Sequence, residues 1–162
     1  MIIRPARPSD AARITEIQNI YIRDTAVTFN SREKSVEETA ASIQSLPFFA
    51  VAEDEEQIWG FICYDQMRKG YGYARAMEHS ILMDRSATGR GVGRRLVDAA
   101  EKHAREAGIG SLWAGVSGEN PGGVSFHARI GFEEVARLPK VGFKFGRWMD
   151  LVLMRKWLQE GE

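Results

Sequence analysis

A glycine-rich turn between an apolar strand and an amphipathic helix constrains this sequence more than any other feature. Residues 88–93 read Thr-Gly-Arg-Gly-Val-Gly and follow the apolar segment 77–83. Alternating glycines let the backbone approach a ligand and turn its N–H groups inward, and the start of the following helix adds partial positive charge. Arg90, Arg94 and Arg95 add full charges nearby. The turn therefore predicts a binding site for a diphosphate.

Two better-known nucleotide-binding patterns do not match this turn. A dinucleotide-binding fold requires G-x-G-x-x-G after its first strand, whereas G-x-G-x-G here follows the fourth predicted strand. A P-loop requires Lys and then Ser or Thr after the last glycine, and this chain has Arg94 and Arg95 there. A plain nucleotide-binding module is therefore disfavoured, and a turn that merely starts a helix is the remaining alternative.

The remaining sequence alternates strands and helices and predicts a single domain over residues 1–162. The predicted strands cover 2–6, 48–53, 58–67, 77–83, 111–116, 132–138 and 148–156. The predicted helices cover 11–23, 36–45, the segment after Gly93 that ends before Gly108, and 124–130. This alternation is typical of one mixed α/β sheet with helices packed on its faces.

Composition narrows the class of protein and its partners. Lys plus Arg equals Asp plus Glu at 22 each, so the net charge gives no sign of nucleic acid or an anionic membrane surface. The single cysteine, Cys63, excludes an intrachain disulfide and a multi-thiolate zinc site. The charged start of the chain lacks the apolar core of a signal peptide, and no apolar stretch is long enough for a membrane span. We expect a cytoplasmic protein without a metal site.

Taken together, these motifs resemble the GCN5-related N-acetyltransferase (GNAT) superfamily. That family places R/Q-x-x-G-x-G/A between its fourth strand and third helix, and residues 88–93 match it with Thr88 where Gln or Arg is usual. Within the superfamily the chain resembles the phosphinothricin and methionine sulfoximine acetyltransferases. The matching segments are 3–6, 25–29, 77–83 (MEHSILM), 126–132 (FHARIGF) and 141–150 (VGFKFGRWMD).

The resemblance implies a fold, a cosubstrate and an assembly. The fold is the α/β (α+β) GNAT fold, a mixed, mostly antiparallel twisted sheet of about seven strands flanked by four helices. The cosubstrate is acetyl-CoA, the acceptor is a small-molecule amine, and the branch forms homodimers. The implied activity is N-acetylation of the α-amine of an amino-acid analogue such as methionine sulfoximine, methionine sulfone or phosphinothricin. The alternatives are another amine, such as a protein N-terminus or a polyamine-like molecule, and a non-catalytic acetyl-CoA-binding domain.

The resemblance also implies which residues bind the cosubstrate. In the family the fourth strand splays open, the pantetheine arm pairs with its free edge, and a backbone N–H near Ile81 or Leu82 meets the oxyanion. The implied cofactor-binding residues are Ile81, Leu82, Met83, Thr88, Gly89, Arg90, Gly91, Val92, Gly93, Arg94 and Asn120. A plain core strand over 81–83 and a simple helix N-cap at Asn120 are the structural alternatives.

Glu78 and His127 are the candidate catalytic residues. Glu78 lies in an otherwise apolar strand, where burial would raise its pKa toward working pH, and the family uses a Glu on this strand as general base. The alternative is a strand-end carboxylate paired with an arginine. His127 stands four residues before Gly131, where many relatives carry a Tyr that protonates the departing thiolate. The alternative is a helix histidine whose ring is satisfied by the backbone.

Four residues are candidates for binding the acceptor. Arg68 matches a branch arginine ten residues before Glu78, and an arginine fork suits a carboxylate or phosphinate. Arg75 stands three residues before Glu78, so a regular strand sends it to the opposite face unless a bulge intervenes. Phe29 and Lys144 are candidates for lining the acceptor pocket or a subunit contact, or for packing alone.

Overall fold

The computed structural model describes residues 1–160, which form one seven-stranded sheet with four α-helices. The elements are β1 (Ile2–Pro5), α1 (Ala11–Asp24), α2 (Val36–Ser45), β2 (Phe48–Asp54), β3 (Gln57–Gln66), β4 (Ala76–Met83), α3 (Val92–Glu106), β5 (Ser111–Ser117), α4 (Pro121–Arg129), β6 (Glu133–Lys144) and β7 (Arg147–Trp157). Short 3₁₀ turns cover Pro8–Asp10, Tyr71–Tyr73 and Arg85–Ala87.

The strand order is β1-β2-β3-β4-β5-β7-β6, and only the β4–β5 pair is parallel. The observed architecture confirms the predicted mixed, mostly antiparallel sheet with four helices. Each face carries its own apolar core. Leu96 of α3 packs with Leu112 and Val152 on one face, while Ile14 and Ile17 of α1 pack with Phe61 and its neighbours on the other. Both layers are buried, as a two-faced sheet requires.

Strands β4 and β5 separate halfway along their length. They pair only from Ala76 to His79 on β4 and from Ser111 to Ala114 on β5. Beyond that point β4 stays paired with β3 as far as Met83, and β5 stays paired with β7 as far as Ser117. The centre of the sheet therefore contains a V-shaped opening, here called the β4–β5 opening, with a free strand edge on either side.

The structure corrects two predicted boundaries. Strand β6 continues to Lys144 instead of ending at residue 138, because a bulge carries the chain past Pro139. Within the bulge Lys140 has φ +55°, and its N–H donates to Asp150 Oδ1 at 3.0 Å. Helix α4 begins at Pro121 instead of residue 124, because Asn120 Oδ1 accepts a hydrogen bond from the Gly123 amide and caps it. No helix within residues 1–160 is long and apolar enough to cross a membrane.

Candidate active site

The glycine-rich turn leaves β4 and enters α3 through two left-handed residues. Gly89 has φ +80° and Gly91, the N-cap of α3, has φ +76°. A Cβ at either position would meet no atom within 4 Å, so conformation and not space requires glycine there. Gly93 differs, since a Cβ there would lie 3.1 Å from Phe126 and Met83 side-chain atoms. The third glycine allows α3 to pack closely against α4 and β4.

The turn presents a cluster of backbone donors. Within residues 1–160 five amides of the turn and first helical residues have no protein acceptor, those of Gly89, Gly91, Val92, Gly93 and Arg94. The Arg90 amide differs because it donates to the Ala87 carbonyl at 3.3 Å, and its guanidinium lies over the Trp59 ring. Unpaired amides at a helix N-terminus form an anion-binding site.

Asp84 fixes the start of this turn. Its Oδ1 accepts hydrogen bonds from the Ser86 amide at 2.9 Å and the Ser86 hydroxyl at 2.6 Å, and its Oδ2 accepts from Arg13 at 2.6 Å. These hydrogen bonds lower the pKa of Asp84 to about 2. The carboxylate therefore stays charged at neutral pH and ties the turn to α1.

The free edge of β4 exposes alternate peptide groups to the opening. Asp84 donates its amide to Trp59 of β3, and Ala76 accepts from Met67 on the same side. Because the β3–β4 register is unbroken, the even-numbered residues between them, including Leu82, bond toward β3. The amides of Ile81 and Met83 therefore face the opening. The Met83 carbonyl accepts from the Tyr21 hydroxyl at 2.6 Å.

A cavity of about 870 Å³ runs from the turn through the β4–β5 opening. Twelve sequence-predicted residues line it, which are Phe29, Ile81, Leu82, Met83, Thr88, Gly89, Gly91, Val92, Gly93, Arg94, Asn120 and His127. Arg90, Arg68, Arg75, Lys144 and Glu78 do not. Unpredicted lining residues include Tyr21, His79 and Gly115. The cavity joins the amide cluster at one end to the α1 face of the sheet at the other.

Glu78 lies at the border of this cavity. Its carboxyl projects on the α1 face of β4 and lines a second, smaller cavity of about 160 Å³, and Ser80 lines both cavities. Within residues 1–160 no group donates a hydrogen bond to the Glu78 carboxyl, so the predicted alternative of a pairing with arginine is not observed. Burial raises the pKa of the Glu78 carboxyl above its ordinary value. An unpaired carboxyl with a raised pKa has the properties of a general base.

His127 of α4 lies on the opposite face of the sheet, against His79 of β4. Its Nδ1 is 2.8 Å from the Gly123 carbonyl oxygen, and its Nε2 is 2.9 Å from Nε2 of His79. A carbonyl can only accept, so His127 carries its proton on Nδ1 and its Nε2 accepts from His79. The remaining nitrogen, Nδ1 of His79, is buried without a partner among the described residues. The backbone bond matches the structural alternative raised for His127.

The predicted acceptor-binding residues are not all brought together. Arg68 and Arg75 are exposed, and Arg68 lies over the Tyr73 ring. Strand β4 contains no bulge that would return Arg75 to the face of Glu78. Lys144 is buried, and its Nζ donates to the carbonyls of Thr25 at 2.7 Å and Thr28 at 2.9 Å. These hydrogen bonds anchor the 25–30 loop, and Lys144 does not line the cavity.

The chemistry of the donors fits coenzyme A. The amide cluster suits a diphosphate, and the free peptide groups of Ile81 and Met83 suit an arm that carries amides of its own. No group of three His, Cys, Asp or Glu residues within the described chain could hold a metal ion. A coenzyme A site that passes through an open sheet toward an unpaired carboxyl defines an acyltransferase that takes its acyl group from the coenzyme.

The chain belongs to the GNAT family. The family described as "Acetyltransferase (GNAT) domain" matches residues 3–153. The L-methionine sulfoximine/L-methionine sulfone acetyltransferase of Salmonella typhimurium is 32% identical over 164 residues, covering 99% of this chain and 96% of the relative. The chain is therefore an acetyl-CoA-dependent acyltransferase, as predicted.

Solved structures agree with this assignment. An acetyltransferase from Salmonella typhimurium, solved with its cofactor acetyl-CoA, superposes with a TM-score of 0.94 at 31% identity, covering 100% of this chain and 96% of the other. A phosphinothricin acetyltransferase from Sinorhizobium meliloti in complex with acetyl-CoA gives a TM-score of 0.93 at 27% identity, covering 99% and 89%. Acetyl-CoA is therefore the cosubstrate of this enzyme.

Proposed function

We propose that this enzyme acetylates the α-amine of a small amino acid or amino-acid analogue, in the class of methionine sulfoximine, methionine sulfone and phosphinothricin. One observation carries the proposal. The unpaired Glu78 carboxyl lies on the α1 face of the sheet, at the border of the large cavity, and the diphosphate-binding turn lies at the other end of that cavity. The names of the relatives support this acceptor class.

Groups around the opening have separate roles in amide formation. Acetyl-CoA supplies the activated acetyl group when bound. Glu78 takes the proton from the acceptor ammonium, because burial raises its pKa and makes it a stronger base than an exposed carboxylate. The Ile81 amide faces the opening and is the donor for the negative charge that develops on the carbonyl oxygen. Leu82 is not the donor, because its amide is directed toward β3.

The hydrogen bonds of His127 limit its ability to protonate the departing thiolate. In the neutral ring its one proton is on Nδ1 and bonds to the Gly123 carbonyl. Donation from Nε2 would require a second proton on His127, whose pKa burial lowers. The described hydrogen bonds therefore favour the structural alternative, and the role of His127 as the acid stays a prediction.

The acceptor end of the cavity is mainly apolar. Val27, Phe29 and Leu151 line it from the 25–30 loop and β7, together with Phe61 and Leu82. Such walls suit a neutral side chain of the size of methionine, with the amine directed toward Glu78. A large or highly charged acceptor fits this lining poorly.

A thiol-release assay with acetyl-CoA tests the acceptor class. The panel contains methionine sulfoximine, methionine sulfone, phosphinothricin, proteinogenic amino acids, a polyamine and a peptide with a free N-terminus. We expect kcat/KM to be highest for the amino-acid analogues, with mass spectrometry locating the acetyl group on the α-nitrogen. Turnover of the peptide or polyamine alone would overturn the acceptor assignment, and acetyl-CoA binding without any turnover would favour a non-catalytic domain.

We also propose that the enzyme is a homodimer that uses the β6–β7 hairpin. Several large apolar side chains of this hairpin are exposed, namely Val135, Val141, Phe143, Phe145 and Trp148. Phe143 and Trp148 pack edge to face with ring centroids 4.9 Å apart. An apolar patch of this kind is typical of a protein–protein interface. Light scattering after size exclusion should give twice the 18.2 kDa chain mass, and a monomer at micromolar concentration would contradict the proposal.

A further inference from the structure

Gly115 of β5 lies beside the Glu78 carboxyl and lines the large cavity. A Cβ built on Gly115 would lie 2.8 Å from Glu78 Oε2 and 3.9 Å from its Cδ. Real Cβ atoms do not approach other heavy atoms that closely, so a methyl group there and the carboxylate cannot share this space. Glycine at 115 therefore makes room for the carboxyl.

The two cavities lie next to each other in this part of the sheet. Gly115 lines the large cavity, Glu78 lines the small one, and Ser80 lines both. In the parallel register Glu78 lies beside Trp113, so Gly115, two residues on, is on the same face of the sheet and next in the direction of the opening. Because residue 115 has no side chain, the space between the Glu78 carboxyl and the large cavity stays open on the side of β5.

The backbone gives no other reason for glycine at this position. Gly115 is not among the residues with positive φ, and it pairs with Leu153 of β7 in an unbroken ladder. An interior strand position of this kind ordinarily favours a residue with a side chain, since glycine weakens a strand. The space next to Glu78 is the feature that an added methyl would remove.

We propose that Gly115 is a positioning residue for the general base: its missing side chain is the window through which Glu78 reaches the acceptor amine. The inference rests on the proposed role of Glu78. The window also limits the position of the acceptor, because its amine must lie over Gly115 to contact the Glu78 carboxyl. The group that would move in a Gly115→Ala variant is the end of a flexible side chain, so the fold tolerates the change while the carboxyl is displaced.

The test compares Gly115→Ala with Gly110→Ala. Gly110 precedes the same strand and also lacks positive φ, and the atoms nearest to an added Cβ would be Trp157 ring atoms, at 3.3 Å, and the Arg75 carbonyl oxygen, at 3.6 Å. We expect Gly115→Ala to lower kcat/KM for the amine by roughly 10- to 100-fold, the loss typical of a displaced catalytic group. The dissociation constant for CoA should stay within about twofold, and Gly110→Ala should match wild type in both measurements.

A double-variant cycle separates positioning from a general structural effect. Glu78→Asp shortens the side chain by one methylene and withdraws the carboxyl from the Gly115 methyl. We expect Gly115→Ala to change kcat/KM by less than about twofold in the Glu78→Asp background, because the collision is gone. Equal losses in both backgrounds, or a Gly115→Ala loss no greater than that of Gly110→Ala, would overturn the inference. Full activity of Glu78→Gln would instead overturn the base assignment, so the two failures are distinguishable.

Discussion

His79 of β4 and His127 of α4 are joined through their Nε2 atoms, which lie 2.9 Å apart. Both rings are about 5% exposed, and Phe132 packs edge to face against each of them. Burial, together with the neighbouring His127, lowers the pKa of His79 to about 3, and burial also lowers the pKa of His127. The pair is therefore neutral at physiological pH and links α4 to the sheet beside the opening.

This pair predicts a loss of stability in mild acid. Below the ordinary histidine pKa of 6.5 these two histidines bind protons in the unfolded chain but stay neutral in the folded chain. The free energy of unfolding therefore falls as pH falls. Each such histidine contributes a slope of up to about 1.4 kcal/mol per pH unit between pH 6.5 and its folded pKa. Denaturant unfolding at pH 7, 6 and 5 measures it. His79→Gln keeps a donor for His127 and should flatten the slope, and an unchanged slope would contradict the account.

The second prediction concerns the diphosphate-binding turn. Gly91→Ala places a side chain at φ +76°, which costs about 1 kcal/mol or more and moves the neighbouring amides. We expect the dissociation constant for CoA, measured by isothermal titration, to rise at least about tenfold. Gly72→Ala is the matched control, because a Cβ there meets nothing within 4 Å and the backbone is not left-handed. Equal CoA affinity for the two variants would show that the turn does not hold the diphosphate.

Lys144 gives a third prediction, on the acceptor side. Lys144→Met keeps the length of the side chain but leaves the Thr25 and Thr28 carbonyls without their donor. We expect the free energy of unfolding to fall by about 1–3 kcal/mol. KM for the amine should rise with little change in CoA affinity, because the loosened 25–30 loop lines only the acceptor end of the cavity. Steady-state kinetics with Lys144→Arg as the charge-retaining comparison measures the effect, and an unchanged KM would be evidence against it.

Local patterns were sufficient to predict the turn and most of the elements. The glycines, the apolar strand before them and the amphipathic helix after them are contiguous in sequence, and the structure has the predicted helix–strand alternation. The errors fall where local signals are ambiguous. Pro139 interrupts the alternation of β6 although a bulge lets the strand continue, and Gly122 and Gly123 conceal the start of α4.

The parts of the site that the sequence did not reveal depend on distant partners. The separation of β4 from β5 is set by the packing of both strands, and no pattern within either strand reports it. Lys144 meets carbonyls 116 and 119 residues away, so a buried anchor could not be told from a substrate ligand. His79 directly follows Glu78, and its partner His127 is 48 residues away, so no local pattern reports this pair.

The Glu78→Gln variant tests the central claim most directly, because it keeps the shape of the side chain and removes only its basicity. Stopped-flow thiol release gives kcat, and isothermal titration gives the dissociation constant for CoA. We predict that kcat at pH 7.5 falls by roughly 10²- to 10⁴-fold while CoA affinity stays within about twofold. A variant that turns over at the wild-type rate, or that loses CoA affinity as strongly as activity, would contradict the assignment of Glu78 as the base.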